Sequence, residues 1–200
     1  MKQSAPSAVR NREPILAVLR ERLAPSGLLL EIASGTGEHA VHMAAALPGW
    51  QWQPSEADPT MVPSIDAWRL ESGLVNVHPA RVVDVSAPGW THAFTHGFDA
   101  LFCANMIHIA PWSAAQGLFA GAAQLLRAGG CMFTYGPYRF SGEFTAPSNQ
   151  AFDQSLRQRN PAWGVRDIDD LTALAGSHGL TLSERVAMPA NNHVLVWRAA

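Results

Sequence analysis

The feature that most constrains the fold is an apolar run that passes through glycines into a helical pattern. Residues 28–40 read LLLEIASGTGEHA, so Gly35 and Gly37 closely follow the carboxylate of Glu31. Glycine allows a tight turn and lets a ligand approach the backbone closely. A strand that enters a helix through such a turn is typical of parallel α/β sheets, which bind nucleotide-like cofactors at this loop.

Two cofactor patterns fit the loop. Gly35, Gly37 and Ala40 match the dinucleotide pattern G-x-G-x-x-G/A. Glu31, Ala33, Gly35 and Gly37 match the methyl-donor pattern E-x-G-x-G-x-G, except that Ala33 replaces its first glycine. We expect Ala33 to end the strand with an extended backbone, where a single methyl group is tolerated.

Helical and strand-like patterns alternate along the 200 residues, without an internal repeat. A helix is predicted at about residues 12–24, with Asn11 as a candidate cap. Another helix is predicted after Pro111 and is expected to end at the Gly129–Gly130 pair. The last two β-rich runs form an antiparallel hairpin. This order predicts a single domain over residues 1–200, an α/β sandwich with a mostly parallel sheet.

Composition narrows the classes of partner. Lys and Arg total 14 and Asp and Glu total 16, so charge gives no reason to expect nucleic acid as the main partner. No signal peptide or membrane-spanning run is apparent, and no spacing of His, Cys and acids suggests a metal site. Cys103 and Cys131 lie in apolar runs, as buried free thiols of a cytoplasmic protein would.

Acidic residues follow the next two predicted strands. Glu56 and Asp58 lie about twenty residues beyond Gly37, where an acid that binds ribose hydroxyls is expected. We favour Glu56, because Asp58 is also a plausible helix cap. Asp84, followed by Val85, ends the third strand and could receive an adenine amino group or cap a turn.

Charge near the loop bears on the identity of the cofactor. A dinucleotide places an anionic pyrophosphate on the helix N-terminus, where Glu38 and Glu31 would oppose it. The two carboxylates suit the ammonium and sulfonium groups of S-adenosylmethionine better. The Gly-x-Gly-x-x-Ala match nevertheless keeps a nicotinamide-dependent oxidoreductase as an alternative.

Several longer motifs resemble class I S-adenosylmethionine-dependent methyltransferases, and more narrowly the uncharacterised methyltransferase-like protein 26 family. They are RNREPIL, LEIASGTGEHA, WQPSEAD, FDALFCANMIHIAPW, YGPYRFSGEFT, SNQAFDQSLRQRNPAWGVRD and NNHVLVWR, which span nearly the whole chain. The resemblance implies a Rossmann-like three-layer sandwich whose seven-stranded sheet ends with an antiparallel strand. It implies a cofactor site made of Glu31, Ala33, Ser34, Gly35, Thr36, Gly37, Glu56, Asp84 and Asn105. We add Asp58, Val85 and Met106 as further cofactor-binding candidates.

Candidates for catalysis follow the fourth and fifth predicted strands. His108 could act as a base near neutral pH, or be a packed imidazole bonded to the backbone. Tyr138, Arg139 and Glu143 belong to an irregular, lid-like loop at about residues 136–147, which could cover the site or be an ordinary surface loop.

The segment before the first predicted helix contains Asn11 and Arg12. The family resemblance implies that this segment packs over the mouth of the cofactor site. The leading hypothesis is therefore a cytoplasmic methyltransferase that uses S-adenosylmethionine and a small-molecule acceptor. A non-catalytic cofactor-binding protein of the same fold is the main alternative.

Overall fold

A seven-stranded sheet crosses the molecule, and helices pack on both of its faces. The computed structural model describes residues 1–199. The strands are β1 (Gly27–Ile32), β2 (Trp50–Glu56), β3 (Arg81–Val82), β4 (Phe98–Ala104), β5 (Leu126–Gly136), β6 (Arg139–Phe140), β7 (Glu143–Phe144), β8 (Leu180–Met188) and β9 (Asn192–Ala199). The helices are α1 (Pro6–Arg22), α2 (Glu38–Ala46), α3 (Val62–Ser72), α4 (Trp112–Leu125), α5 (Pro147–Arg159) and α6 (Ile168–Ser177).

The order of strands in the main sheet is β3-β2-β1-β4-β5-β9-β8, and β6 pairs with β7 in a separate two-stranded sheet. Strands β1 to β5 pair in parallel, whereas β9 is antiparallel to both β5 and β8. The predicted Rossmann-like sandwich with an antiparallel C-terminal hairpin is confirmed. The order of strands reverses between β1 and β4, and ligands bind at the carboxyl ends of strands beside such a reversal.

Each central strand is buried on both faces. Successive side chains of a strand point to opposite sides. Leu29 therefore packs with α1 and α2, while Leu30 packs with α4 and α6 on the other side. Phe102 and Cys103 of β4 divide in the same way. The two apolar layers hold the carboxyl ends of β1 and β4 side by side.

Two predicted helix boundaries are wrong. Helix α1 begins at Pro6 rather than near residue 12, because proline suits the first turn of a helix. Asn11 is therefore buried inside α1 and does not cap it. Helix α4 ends at Leu125, and Gly129 and Gly130 lie inside β5. A Cβ on Gly130 would lie 3.0 Å from the Asp99 carbonyl, which explains a glycine at this irregular part of the β4–β5 pair.

The lid-like loop predicted at about residues 136–147 contains the β6–β7 hairpin, which turns at Ser141 and Gly142 with φ of 51° and 85°. It leads into α5, a helix that the sequence pattern does not reveal. Among residues 1–199, no helix has the length and hydropathy to span a membrane.

Candidate functional site

The loop between β1 and α2 contains three left-handed residues. Ala33, Gly35 and Gly37 have φ of 58°, 56° and 95°. The expectation of an extended backbone at Ala33 is wrong. The loop requires a left-handed conformation there, which costs an L-residue roughly 1–2 kcal/mol. Ala33 therefore occupies the position of the first glycine in the methyl-donor pattern, and its backbone has the left-handed conformation that favours glycine.

Gly35 and Gly37 serve different purposes. A Cβ added to Gly37 would lie 2.7 Å from the Cα of Ile65, so this glycine allows α3 to pack against the loop. A Cβ added to Gly35 would meet no atom within 4 Å. Gly35 therefore borders open space at the carboxyl end of β1. This space allows a cofactor to lie directly against the backbone.

Glu56 joins the ends of β1 and β2. Its Oε2 accepts a hydrogen bond of 2.9 Å from the Gly35 N–H, and its Oε1 accepts one of 2.8 Å from the Ala57 N–H. The side chain remains partly exposed. Glu56 thus lies beside the open face of the loop, where the sequence places an acid for ribose hydroxyls. This arrangement fits a nucleoside at the ends of β1 and β2.

Asp58 and Asp84 are exposed and form local turns. Asp58 Oδ1 accepts hydrogen bonds from the side chain and the backbone of Thr60, and these bonds hold the pKa of Asp58 below its usual value. Because α3 begins at Val62, Asp58 does not cap that helix. Asp84 Oδ1 accepts a hydrogen bond of 2.8 Å from the Ser86 N–H. Val85 is buried against α4.

The carboxylates of Glu31 and Glu38 do not face the open side of the loop. Glu31 is buried, and its Oε2 accepts a hydrogen bond of 2.8 Å from Trp52 Nε1. Burial raises the pKa of Glu31 to about 7. Glu38 is also buried and accepts hydrogen bonds of 2.6 Å from the Ala5 N–H and 3.1 Å from Ser4 Oγ. Protein donors hold Oε2 of Glu31 and both oxygens of Glu38, and the expectation that the two acids favour a cationic ligand stays a prediction.

The N-terminal segment, defined as residues 2–5, lies on α2 and α3. The Gln3 N–H donates to Ser64 Oγ over 2.8 Å, and the Gln3 carbonyl accepts from Trp68 Nε1 over 2.7 Å. Lys2 lies over the Trp68 ring and pairs with Glu71. These contacts place the start of α1 beside the loop between β1 and α2.

His108 follows β4 in a short helical turn and has no exposed surface. Its Nδ1 accepts a hydrogen bond of 3.2 Å from the Arg166 N–H. Its Nε2 has no hydrogen-bond partner among residues 1–199 and faces Gly136. Burial, aided by the charge of Arg166, lowers the pKa of His108 to about 3. The geometry is that of a packed imidazole bonded to the backbone.

The candidates from the lid-like loop are dispersed. Tyr138 is fully buried, and its hydroxyl donates to Thr134 Oγ1 over 3.0 Å. Burial raises the pKa of Tyr138. Glu143 is exposed on β7, and the Arg139 guanidinium lies 5.7 Å from the centre of the Phe144 ring.

A large cleft opens beside the ends of β4 and β5, with a volume of about 930 Å³. Its walls come from α1, the residues after β4, the end of β5, α5 and the turn between β8 and β9. Asn11 and Asn105 are the two predicted site residues that line it. Asn105 is left-handed, with φ of 62°, and its N–H donates to the Tyr135 carbonyl over 2.7 Å. Arg12 and the buried Met106 lie outside the lining.

Sequence reasoning missed most of this cleft. Arg10, Asn149, Phe152 and Arg159 line it, and none was a candidate. The three residues on α5 were hidden because the helix itself was not predicted. A proline followed by polar residues at 147–150 was the available signal for its start.

Comparison with known proteins identifies the family. Residues 2–199 match the family described as "Protein of unknown function (DUF938)". The chain belongs to this family. The narrower resemblance of this DUF938 protein to methyltransferase-like protein 26 stays a prediction.

Solved structures share the fold of this DUF938 protein. An O-methyltransferase family protein from Burkholderia thailandensis superposes with a TM-score of 0.80 at 14% identity, covering 96% of this chain and 57% of that one. An O-methyltransferase family 2 protein from Planctomyces limnophilus, in complex with apigenin, gives 0.78 at 14%, covering 97% and 60%. CalO1, a methyltransferase in calicheamicin biosynthesis with SAH bound, gives 0.76 at 14%, covering 97% and 55%.

The chain spans little more than half the length of these structures. At such identity, the matches establish a shared fold. They show that this sheet order and its helices are those of Rossmann-like methyltransferases.

Proposed function

We propose that this DUF938 protein is an S-adenosylmethionine-dependent methyltransferase that acts on a small molecule. The observation that carries the proposal is the open face of Gly35, which lies beside Glu56 at the carboxyl ends of neighbouring strands. The fold shared with methyltransferases, one of them described with SAH bound, supports the same cofactor. We also propose a cytoplasmic location, which the two free, buried thiols support.

The cofactor supplies an electrophilic methyl group when it is bound. We assign its binding to the loop Ala33–Gly37, to Glu56 and Asp84, and to Asn105, which lines the cleft. Three further candidates are buried neighbours of these residues along the chain, namely Met106, Val85 and Glu31. The contribution of the chain is to align the two reactants and to exclude water, because methyl transfer needs no obligatory base.

The acceptor is assigned to the cleft of about 930 Å³, which falls in the usual range for small-molecule sites. We retain Glu143, Arg139 and Arg12 as residues outside the cleft that would act only if the lid-like loop or α1 moved. We reassign His108 and Tyr138 to packing, because neither has exposed surface through which to exchange a proton with an acceptor.

Isothermal titration calorimetry with S-adenosylmethionine, S-adenosylhomocysteine and NAD tests the proposal. We expect the first two to bind and NAD not to bind. Binding of NAD without binding of either adenosyl compound would instead support a nicotinamide-dependent oxidoreductase.

A non-catalytic cofactor-binding protein is the second candidate, and the burial of His108 and Tyr138 favours it. Production of S-adenosylhomocysteine from S-adenosylmethionine, measured across a broad acceptor panel, separates the two. Turnover above the rate without acceptor supports the methyltransferase. Tight cofactor binding without turnover supports the binding protein.

A further inference from the structure

The lining of the cleft is unbalanced in charge. It contains two arginines, Arg10 of α1 and Arg159 at the end of α5, and no aspartate or glutamate. The chain as a whole has slightly more acidic than basic side chains, 16 against 14. The positive charge of the cleft is therefore a local feature and does not follow from composition.

Neither arginine of the cleft is neutralised by a carboxylate. Within residues 1–199, no Asp or Glu oxygen lies within 4.0 Å of the guanidinium of Arg10 or Arg159. In the described part of the chain, Arg12 and Arg20 of α1 also have no carboxylate contact, whereas one arginine on each helix is paired. Arg22 of α1 contacts Glu184 at 2.9 Å, and Arg157 of α5 contacts Asp153 at 2.8 Å. The two side chains that line the cleft are thus available to an external anion.

The neighbours of Arg10 also present hydrogen-bond donors. Asn11 and Tyr135 both line the cleft, and Asn11 Oδ1 lies 2.7 Å from His39 Nε2. Burial raises the pKa of Tyr135, so its hydroxyl keeps its proton for donation.

Helix α5 adds a third positive element. It begins beside the cleft, where Ser148 and Asn149 of its first turn line the wall. The N-terminus of a helix carries partial positive charge, and acidic side chains in the first turn usually offset it. The first turn of α5 contains none.

Part of the lining is apolar. Phe152, Ile109, Pro14 and Pro137 contribute side chains to the walls. Such a surface accommodates an aromatic or aliphatic body, because removal of apolar area from water favours binding.

We propose that the acceptor is a small organic acid, with a carboxylate or phosphate group bound by Arg10 or Arg159 and an apolar body held against Phe152. Guanidinium groups bind both kinds of anion through paired, charge-assisted hydrogen bonds. The inference rests on the proposed function only in treating the ligand as a methyl acceptor. The class of ligand is assigned from the cleft itself.

Matched pairs of probes test the ligand class without S-adenosylmethionine. Para-hydroxybenzoate is compared with para-hydroxybenzamide, and phenyl phosphate with phenol, by calorimetry and ligand-observed NMR at millimolar concentration. We expect at least one anion to bind about tenfold or more tightly than its neutral partner, and added salt to weaken it. Preference for one anion distinguishes a carboxylate site from a phosphate site.

Three variants show which guanidinium group binds the anion, namely Arg10→Gln, Arg159→Gln and the double variant. We expect one single variant to lose most of the preference and the double variant to lose all of it. Arg20→Gln, on α1 but outside the lining, is the matched control and should keep it. Circular dichroism confirms that each variant is folded.

Three results would overturn the proposal. They are equal binding of charged and neutral probes, no binding of any anionic probe, and a preference that survives in the double variant. S-adenosylmethionine affinity is measured separately in the same variants. A fall in that affinity in Arg10→Gln or Arg159→Gln would reassign the arginine to the cofactor and would also overturn the proposal. Failure of cofactor binding in the unmodified protein bears on the proposed function and leaves the probe measurements valid.

Discussion

Trp52 donates a hydrogen bond of 2.8 Å from its Nε1 to the carboxyl group of Glu31, between neighbouring strands in the interior. Burial raises the pKa of Glu31 from 4.5 to about 7. The folded chain therefore holds a proton at this site between about pH 4.5 and pH 7, whereas the unfolded chain has released it. The contribution of Glu31 to stability falls as the pH rises through this window.

The Glu31→Gln variant keeps an acceptor for Trp52 and removes the titration. We expect it to unfold with the same free energy as the unmodified protein near pH 4.5, and to be more stable above pH 7 by up to about 3 kcal/mol. Urea unfolding at several pH values measures the difference. A difference that does not change with pH would contradict the raised pKa.

Gly35→Ala places a methyl group in the open space beside the loop to which we assign the cofactor. We expect a loss of stability of roughly 0–1.5 kcal/mol, because the reduced freedom of the unfolded chain offsets part of the left-handed strain, and a loss of S-adenosylmethionine affinity. Gly73→Ala is the matched control, because Gly73 has φ of 66° and also has no atom within 4 Å of an added Cβ. It should lose similar stability and keep the affinity. Equal affinities in the two variants would remove Gly35 from the site.

Ala33→Gly tests the left-handed alanine. Relief of about 1 kcal/mol of strain is opposed by about 0.4–1 kcal/mol of added freedom in the unfolded chain, so we expect almost unchanged stability and intact cofactor binding. Ala190→Gly, at φ of 57° in the β8–β9 turn, should behave alike. Destabilisation of only Ala33→Gly by more than about 1 kcal/mol would show that its methyl group packs favourably.

Glu38→Ala removes the carboxylate that accepts from Ser4 and Ala5. We expect a loss of about 1–3 kcal/mol, because buried donors are left without a partner. Faster hydrogen exchange at the start of α1 should accompany it. Glu71→Ala breaks only the exposed contact with Lys2 and should cost about 0–1 kcal/mol. Unchanged exchange at residues 5–9 in Glu38→Ala would show that this anchor is unimportant.

His108→Asn separates packing from catalysis. The amide oxygen can replace Nδ1 as acceptor for the Arg166 N–H, so we expect S-adenosylmethionine affinity and any turnover to be kept. Because the pKa of His108 is lowered from 6.5 to about 3, the imidazole reduces stability as the pH falls through that window. The variant should lose this pH dependence. A loss of turnover with unchanged cofactor affinity would restore His108 as a base.

The sequence pattern predicts those parts of the fold in which burial leaves a regular signature. Strands β1 and β4 are apolar on both faces, and α3 ends at Gly73 with the left-handed backbone expected of a terminal glycine. Helix α5 escapes detection because only Asn149, Asp153 and Leu156 of its thirteen residues are buried. The sequence of α5 therefore lacks the regularly spaced apolar residues that indicate a helix.

The residues of the candidate site are predictable only where their contacts follow from the local sequence. Gly35 and Glu56 follow from the spacing between the ends of two strands, and their contact is present. The direction of Glu38 is set by Ala5, a residue 33 positions away, and is not encoded in the loop sequence. The left-handed conformation of Ala33 contradicts its own residue preference, so no propensity argument could have found it.

The carboxylate of Glu38 belongs to the first turn of α2 and also binds the N–H of Ala5, the residue at the start of α1. One side chain thus links the loop assigned to the methyl donor with the helix that presents Arg10 to the cleft. A donor that stiffens the loop also stiffens that wall, and the second molecule then meets an already ordered surface. Because such coupling is reciprocal, we expect the donor and the acceptor of the proposed function to bind with positive cooperativity.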